Sequence, residues 1–101
     1  MPFKGPAYRY IRESDKLPAL YATEGKTEAL ARVKIFDPCG SWTWYVIEYD
    51  PIQKLAFGLV DGFEKELGYF SLEELEKTRT RFGLPLERDL HWDPVPVSSL
   101  L

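Results

Sequence analysis

The chain has 101 residues, of which 45% are hydrophobic and 29% are charged, and its formal net charge is -3. This length and composition predict one globular domain over residues 1–101 and exclude a disordered chain. One cysteine and one histidine exclude an internal disulfide and a metal site built from several cysteines or paired histidines. The mild acidity also argues against a general nucleic-acid coat, which needs a positive field to attract phosphates.

The sequence gives no sign of a membrane or secretion segment. No window approaches the roughly 18 apolar residues of a membrane helix. The first residues, Met1 to Pro6, lack the apolar stretch of a secretion signal. We therefore expect a cytoplasmic protein that makes no membrane contact.

Residue usage also predicts a thermophilic source. The chain has no asparagine and one glutamine, Gln53, while Glu, Lys and Arg are well represented. Depletion of thermolabile residues together with abundant charge is typical of thermophilic proteins.

In chain order, the first predicted elements are an extended arm and a short helix. Residues 1–13 contain two prolines and are expected to be extended. Ser14 or Asp15 can cap a helix over residues 15–24, where apolar residues have helical spacing. Gly25 is a typical residue to end that helix.

Four strands are predicted next, because segments rich in β-branched and aromatic residues alternate with short turns. They cover residues 28–36, 42–49, 55–60 and 66–70. In the second of them, Trp42 and Trp44 are predicted on one face, and Tyr45 and Tyr49 on the other. The short connections predict an antiparallel meander.

The last part of the chain is predicted to form a capped helix and an extended tail. Ser71 with Glu74 forms a capping box, and Gly83 is typical of a helix end, so the helix is predicted between them. The tail, residues 86–101, contains two prolines and should be packed by Leu90, Trp92 and Val95. The predicted fold class is therefore α+β. It comprises a four-stranded antiparallel meander, an N-terminal helix, a capped helix after the last strand and an extended proline-containing tail.

An ordered series of motifs resembles a known bacterial family. The motifs occupy residues 44–50, 56–62, 66–75 and 84–92. Together they resemble a domain-of-unknown-function family of small proteins that are often carried on plasmids, phages and integrative elements. The resemblance covers roughly residues 15–98. It implies a small accessory protein of mobile DNA, encoded near genes for DNA handling or anti-defence, and it supplies no catalytic residue.

The first candidate site is acidic. Residues 61–76 hold six carboxylates and one base, Lys65. Such a face can mimic a phosphate backbone or attract a basic partner. The alternative is structural, because Glu74 belongs to the capping box and acids stabilise the first turn of a helix. The predicted partner-binding residues are Asp61, Glu64, Glu66, Glu73 and Glu76.

The second candidate site is aromatic. Aromatic rings on a sheet can stack single-stranded bases when basic residues lie beside them. The residues that would do so are Arg32 and Lys34 on one strand and Trp42 and Trp44 on the next. The alternative is that the helix and the N-terminal segment cover both sheet faces.

The third candidate is a divalent metal site. In an extended segment Glu87, Asp89, His91 and Asp93 project to one side, where they could hold a divalent metal or supply a general base. A metal-dependent hydrolase would be built on Asp61, Glu87, Asp89 and His91. The alternative is a structural strap in which Arg88 pairs with acids on the sheet and His91 is a hydrogen-bonded structural residue.

We predict a small non-enzymatic accessory protein of mobile genetic elements that docks a protein partner through its acidic and aromatic surface and needs no cofactor. Single-stranded nucleic-acid binding and metal-dependent hydrolysis stay open as alternatives. Unpaired edge strands would allow a homodimer, and the sequence does not decide between a monomer and a homodimer.

Overall fold

The computed structural model describes residues 10–24 and 29–101, and most of the regular secondary structure in these residues is β-sheet. Five antiparallel strands form the main sheet in the spatial order β5-β4-β3-β2-β6, and β1 pairs with β7 in a separate small sheet. One six-residue helix, α1, follows β5, and two short 3₁₀ helices lie near the ends of the described chain. The bounds are β1 Leu30–Ala31, β2 Val33–Phe36, β3 Thr43–Asp50, β4 Leu55–Asp61, β5 Lys65–Ser71, α1 Leu72–Lys77, β6 Glu87–Arg88, β7 Val95–Pro96, and the 3₁₀ helices Glu13–Asp15 and Val97–Ser99.

The predicted antiparallel run of strands is confirmed for β2 to β5, but the sheet has a fifth strand. The segment Glu87–Arg88 pairs antiparallel with β2, where an extended tail was expected. The tail is also held at Ala31, which pairs with Val95 and accepts a hydrogen bond from Trp92 Nε1 at 2.9 Å. Leu90, predicted to help pack the tail, is 70% exposed.

The core lies between one face of the main sheet and α1. Strand residues alternate between the two faces, so the small side chain of Ala56 leaves room on this face for Leu72 and Leu75 of the helix. The buried members of this core are Tyr10, Val33, Ile35, Val46, Ala56, Leu72, Leu75 and Leu86.

A bulge in β3 changes which face its aromatic residues occupy. Val46 pairs with Gly58 and Glu48 pairs with Phe57, so Ile47 is an extra residue between them. The extra residue shifts the alternation by one position. Tyr49 therefore packs against the α1-side core, and the prediction that it shares a face with Tyr45 is wrong.

The helix begins where the sequence predicts and ends earlier. Ser71 Oγ accepts a hydrogen bond from the Glu74 N–H at 3.1 Å, which confirms the N-cap. The helix stops at Lys77, not at Gly83. The reason lies in Thr80, whose N–H donates to the Leu84 carbonyl and whose hydroxyl accepts the Leu84 N–H, so the following residues close a tight loop.

The predicted N-terminal α-helix over residues 15–24 is not present. Instead, the 3₁₀ helix Glu13–Asp15 ends at Asp15, and Lys16 follows in a left-handed backbone conformation at φ 52°. The carbonyl of Pro18 accepts a hydrogen bond from the Tyr49 N–H at 2.9 Å. Backbone groups that a helix would use internally are thus bonded to the sheet. Residues 1–9 of the predicted arm, Gly25 and residue 28 of the first predicted strand lie outside the described residues.

Among the described residues, no helix is long and apolar enough to cross a membrane.

Candidate functional site

The structure places the predicted acidic residues in two separate groups. Asp61, Glu64 and Glu66 lie at the turn between β4 and β5, whereas Glu73 and Glu76 lie on α1. Along β5, Glu66 lies five residues before Ser71, which is roughly 16 Å at about 3.3 Å per residue, and α1 begins only after Ser71. The five carboxylates therefore do not form one continuous surface.

The two helical members of this set are also paired. Glu76 is 6% exposed and forms an ion pair with Lys54 at 2.7 Å. Glu73 forms an ion pair with Lys77 at 3.1 Å between two exposed side chains. A buried, paired carboxylate such as Glu76 is not free to meet a partner.

The structure divides the predicted nucleic-acid residues between the two faces of the sheet. Trp42 and Trp44 lie together, with ring centroids 6.0 Å apart. Lys34 pairs with Tyr45 in the β2–β3 register, which places it on the face opposite Trp44. Arg32 lies between β1 and β2, where its N–H donates to the Val46 carbonyl. The tryptophan pair and Lys34 therefore do not share one platform.

Lys34 has its own neighbours on its face. Its ammonium lies 5.3 Å from the ring of Trp92 and 3.8 Å from the carboxylate of Asp89. Tyr45 completes the group, because its ring centroid is 5.4 Å from that of Trp92. These contacts bind the C-terminal segment to the sheet.

The predicted metal residues are likewise dispersed. Asp89 accepts a hydrogen bond from the backbone N–H of His91 at 2.9 Å. Glu87 lies on β6 and pairs with Phe36 of β2, while Asp61 belongs to β4, three strand positions away from β6. In the part of the chain that the structure describes, no three His, Cys, Asp or Glu side chains are grouped closely enough to hold a metal ion.

Arg88 is structural, and its partner differs from the prediction. Its guanidinium forms two parallel bonds to the carboxylate of Asp15, at 2.5 and 2.7 Å, and a third bond to the Tyr10 carbonyl at 2.8 Å. Burial by itself raises the pKa of Asp15, but the bonds from Arg88 and from the Arg12 backbone N–H, with the charges of both residues, together outweigh it and lower the pKa below its ordinary value. The prediction of a partner on the sheet is wrong, because Asp15 lies in the first 3₁₀ helix.

The face of the sheet opposite α1 carries a pocket of about 460 Å³. Phe57 and Tyr69 pair across β4 and β5, with ring centroids 5.1 Å apart. The ring of Tyr21 stands 6.2 Å from that of Tyr69. The apolar walls are Tyr21, Ile47, Phe57, Leu67, Tyr69 and Val97. We call Tyr21, Phe57, Leu67 and Tyr69 the aromatic face.

A buried carboxylate holds one wall of this pocket in place. Glu48 is 2% exposed, and it accepts hydrogen bonds from the N–H groups of Tyr21 and Thr23, each at 2.8 Å, and from the Thr23 hydroxyl. Burial alone raises the pKa of Glu48, but these bonds outweigh it and lower the pKa below its ordinary value. The bonds fix the loop in which Tyr21 takes a left-handed backbone conformation at φ 70°.

The phenol of Tyr69 faces this pocket in its neutral form. Desolvation raises the pKa of Tyr69, and the neighbouring Tyr21 phenol and the charges of Glu48 and Glu24 raise it further. At neutral pH the pocket therefore presents aromatic rings and a phenol hydroxyl. This arrangement suits the binding of an apolar or aromatic group with a polar edge.

A second pocket, of about 420 Å³, lies beside α1. Its charged groups include Arg12 and Lys16 together with the Lys54–Glu76 ion pair, and Tyr49 lies on its wall. The hydrogen bond to Glu76 raises the pKa of Lys54, and burial raises the pKa of Tyr49. Three cations and two carboxylates, Glu13 and Glu76, therefore line this pocket, and one of each is joined in the Lys54–Glu76 ion pair.

The pocket residues on the aromatic face were missed by sequence reasoning, apart from one signal. Glu48 is the one charged side chain within the β-forming run from Trp42 to Tyr49. A carboxylate in such a run is expected to have a specific partner if it is buried.

The fold and pocket define a small antiparallel-sheet domain with an aromatic pocket on one face. Residues 12–100 match the model of a family described as proteins of unknown function, DUF2958. The chain therefore belongs to this family, which confirms the resemblance to a domain of unknown function given by its motifs. No curated protein and no solved structure matches the chain.

Proposed function

We propose that this chain is a small non-enzymatic accessory protein that docks a protein partner on its aromatic face. The observation that carries the proposal is an apolar pocket bordered by large side chains that remain exposed. Tyr21 is 63% exposed, Tyr69 50% and Leu67 49%. Leaving such side chains in water around one pocket is unfavourable in isolation and is typical of interaction sites. Tyrosine is also among the residues that contribute most to protein interfaces.

The charges around the pocket support a partner segment with basic character. The exposed carboxylate of Glu24 lies at the pocket rim, and the whole chain has a net charge of -3. A negative protein attracts basic partners and accelerates their encounter. We therefore propose a partner segment that inserts an apolar or aromatic side chain and carries a Lys or Arg nearby.

The engagement of Glu48 supports binding over catalysis at this pocket. Both of its oxygens already accept hydrogen bonds from the loop that carries Tyr21. Its role is to hold a wall of the pocket, so we do not assign it a role as a general base.

The resemblance to proteins of plasmids, phages and integrative elements leads us to propose that the partner acts in the transfer or defence of such elements.

Nucleic-acid binding is less well supported by the charges. The exposed ring of Phe63 packs edge-on against Trp42 at 5.4 Å, but the carboxylates of Asp61, Glu64 and Glu66 lie at the same turn. Negative charge there would repel a phosphate backbone.

A random-peptide display library tests the proposal. We expect the immobilised chain to enrich peptides with an aromatic or aliphatic anchor and a nearby basic residue. The double substitution Leu67→Ser with Tyr69→Ser should weaken their binding by about ten-fold or more. Phe82→Ser is the matched control, since Phe82 is 68% exposed in the loop after α1, and its binding should equal that of the unmodified chain.

Two results would overturn the proposal. One is equal peptide binding by the unmodified chain and the Leu67→Ser, Tyr69→Ser variant. The other is salt-dependent retention of a single-stranded oligonucleotide, lost in that variant, with no peptide enrichment, which would instead assign the aromatic face to nucleic acid.

A further inference from the structure

Strand β5 forms one edge of the main sheet and is long for an edge strand. It has seven residues, Lys65–Ser71, and it stands at the end of the strand order. Within residues 10–24 and 29–101, no strand pairs with its outer side. The opposite edge, β6, has two residues. Natural proteins usually shorten or cover edge strands, since their free N–H and C=O groups pair readily with another strand.

The hydrogen bonds of the β4–β5 hairpin show which backbone groups are free. The N–H of Leu72 donates to the carbonyl of Lys54 at 2.8 Å, one position beyond the end of the ladder. Bonded and non-bonded pairs alternate along an antiparallel ladder. Counting back from Leu72 in steps of two, Phe70, Gly68 and Glu66 are therefore the β5 residues whose N–H and C=O groups bond to β4. The residues whose N–H and C=O groups point outward are Lys65, Leu67, Tyr69 and Ser71.

The sequence of β5 is complementary to itself in one antiparallel register. When Gly68 faces Gly68 of a second copy, Leu67 faces Tyr69 and Lys65 faces Ser71. Both pairs have outward-directed backbone groups, so both can form hydrogen-bonded pairs. No two like charges lie directly opposite, and all seven residues are paired. A shift of two residues in either direction leaves two residues of β5 unpaired.

Gly68 itself supports this register. A Cβ built on Gly68 would meet no atom within 4 Å, and its backbone has no positive φ. Neither local packing nor backbone conformation therefore explains a glycine in the middle of this strand. A strand position without a side chain allows two copies of Gly68 to face each other at the centre of the register with no steric conflict.

We infer that a second copy of this chain pairs with β5, centred on Gly68, and joins the two five-stranded sheets edge to edge. The two-fold axis stands perpendicular to the sheet, so both aromatic faces lie on the same side of the joined sheet. Leu67 and Tyr69 of each copy would then meet at the centre of one larger surface. This inference rests on the backbone edge and does not depend on the proposed function.

Charge reversal tests the register. Sedimentation equilibrium should show a concentration-dependent dimer of the unmodified chain. Leu67→Lys with Tyr69→Lys places like charges opposite each other and should give a monomer at every concentration. Leu67→Lys with Tyr69→Glu places opposite charges in the same pairs and should restore the dimer. A monomeric unmodified chain, or a lysine–glutamate variant that dimerises no better than the lysine–lysine variant, would overturn the inference.

A disulfide provides a second measurement that does not depend on these side chains. At the centre of the register the two Gly68 Cα atoms would lie about 4.5 Å apart, within disulfide range. Gly68→Cys in a Cys39→Ser background should therefore form a covalent dimer on oxidation. Glu66→Cys in the same background is the control, because its two copies would lie about 13 Å apart. Equal cross-linking of the two variants, or none in either, would overturn the inference. Loss of peptide binding alone would leave the sedimentation and cross-linking results unchanged, so the two proposals fail separately.

Discussion

Replacing the buried carboxylate of Glu48 with an amide tests how the pocket is built. Glu48→Gln keeps one oxygen that can accept the Tyr21 N–H, but its NH₂ group replaces the oxygen that accepts from Thr23. The Thr23 N–H would then face another donor and lose its partner. An unsatisfied buried donor costs about 1–3 kcal/mol, and a hydrogen bond to a charged group contributes about 1.5–3 kcal/mol.

Together these costs predict a loss of about 2–4 kcal/mol in the free energy of unfolding at neutral pH. In a domain of this size that loss lowers Tm by roughly 10–25 °C. Urea unfolding gives the free energy directly, and hydrogen exchange at the amides of Tyr21 and Thr23 reports on the loop. Glu66→Gln is the matched control, because Glu66 is exposed and its substitution should change stability by no more than about 0.5 kcal/mol.

The same pair of proteins has a predictable pH dependence. The folded-state pKa of Glu48 is lowered from its ordinary value of 4.5, so its charge stabilises the fold above that value. The stabilisation is lost as pH falls through the folded-state pKa. The stability difference between the unmodified chain and Glu48→Gln should therefore shrink in acid. Equal stabilities at neutral pH together with unchanged exchange at Tyr21 and Thr23 would refute the assigned role.

Three further substitutions test the rest of the fold through urea unfolding. Arg88→Lys removes one of two parallel bonds to a carboxylate in the first 3₁₀ helix and should cost about 1–3 kcal/mol; an unchanged midpoint would contradict this role. Lys54→Met leaves the buried Glu76 carboxylate without its cation and should lower the free energy of unfolding by about 1–3 kcal/mol. The double variant Lys54→Met with Glu76→Met should recover part of that loss. If the losses of the two single substitutions simply add in the double variant, the pairing is contradicted. Gly58→Ala places a Cβ against the backbone carbonyl of Tyr45 on β3 and should lower the free energy of unfolding by about 1–3 kcal/mol or more. Gly68→Ala is the control and should be tolerated, because a Cβ there meets no atom within 4 Å. Equal stability of the two variants would contradict the close approach of β3 to Gly58.

Local signals in the sequence account for much of the sheet and for the start of α1. The alternation in residues 33–36 and 55–61 and the aromatic run in residues 43–50 gave strands in the predicted order. The capping box at Ser71 gave the start of the helix. These features depend on neighbouring residues, so they are legible without knowledge of the rest of the fold.

The errors arise where distant contacts decide the local structure. The carbonyl of Pro18 is bonded to Tyr49, which removes the N-terminal helix that spacing predicts. The two-residue strand Glu87–Arg88 exists because β2 lies beside it. The bulge at Ile47 could not be predicted, because the sequence from Trp42 to Tyr49 contains β-forming residues on both sides of it.

The pocket was missed for the same reason. Its walls come from segments as distant in sequence as Tyr21, Leu67 and Val97, and the loop at Tyr21 is held by Glu48 from β3. The acidic set predicted between residues 61 and 76 is contiguous in sequence, but β5 holds its two ends apart. The cytoplasmic location, the thermophilic source and the link to mobile elements stay predictions.

An NMR titration of the chain with a peptide selected by display tests the docking claim most directly. We predict that the largest changes in side-chain chemical shift occur at Tyr21, Leu67 and Tyr69, and that they saturate with peptide concentration. Largest changes at Trp42 and Phe63, or in the pocket beside α1, would contradict the account.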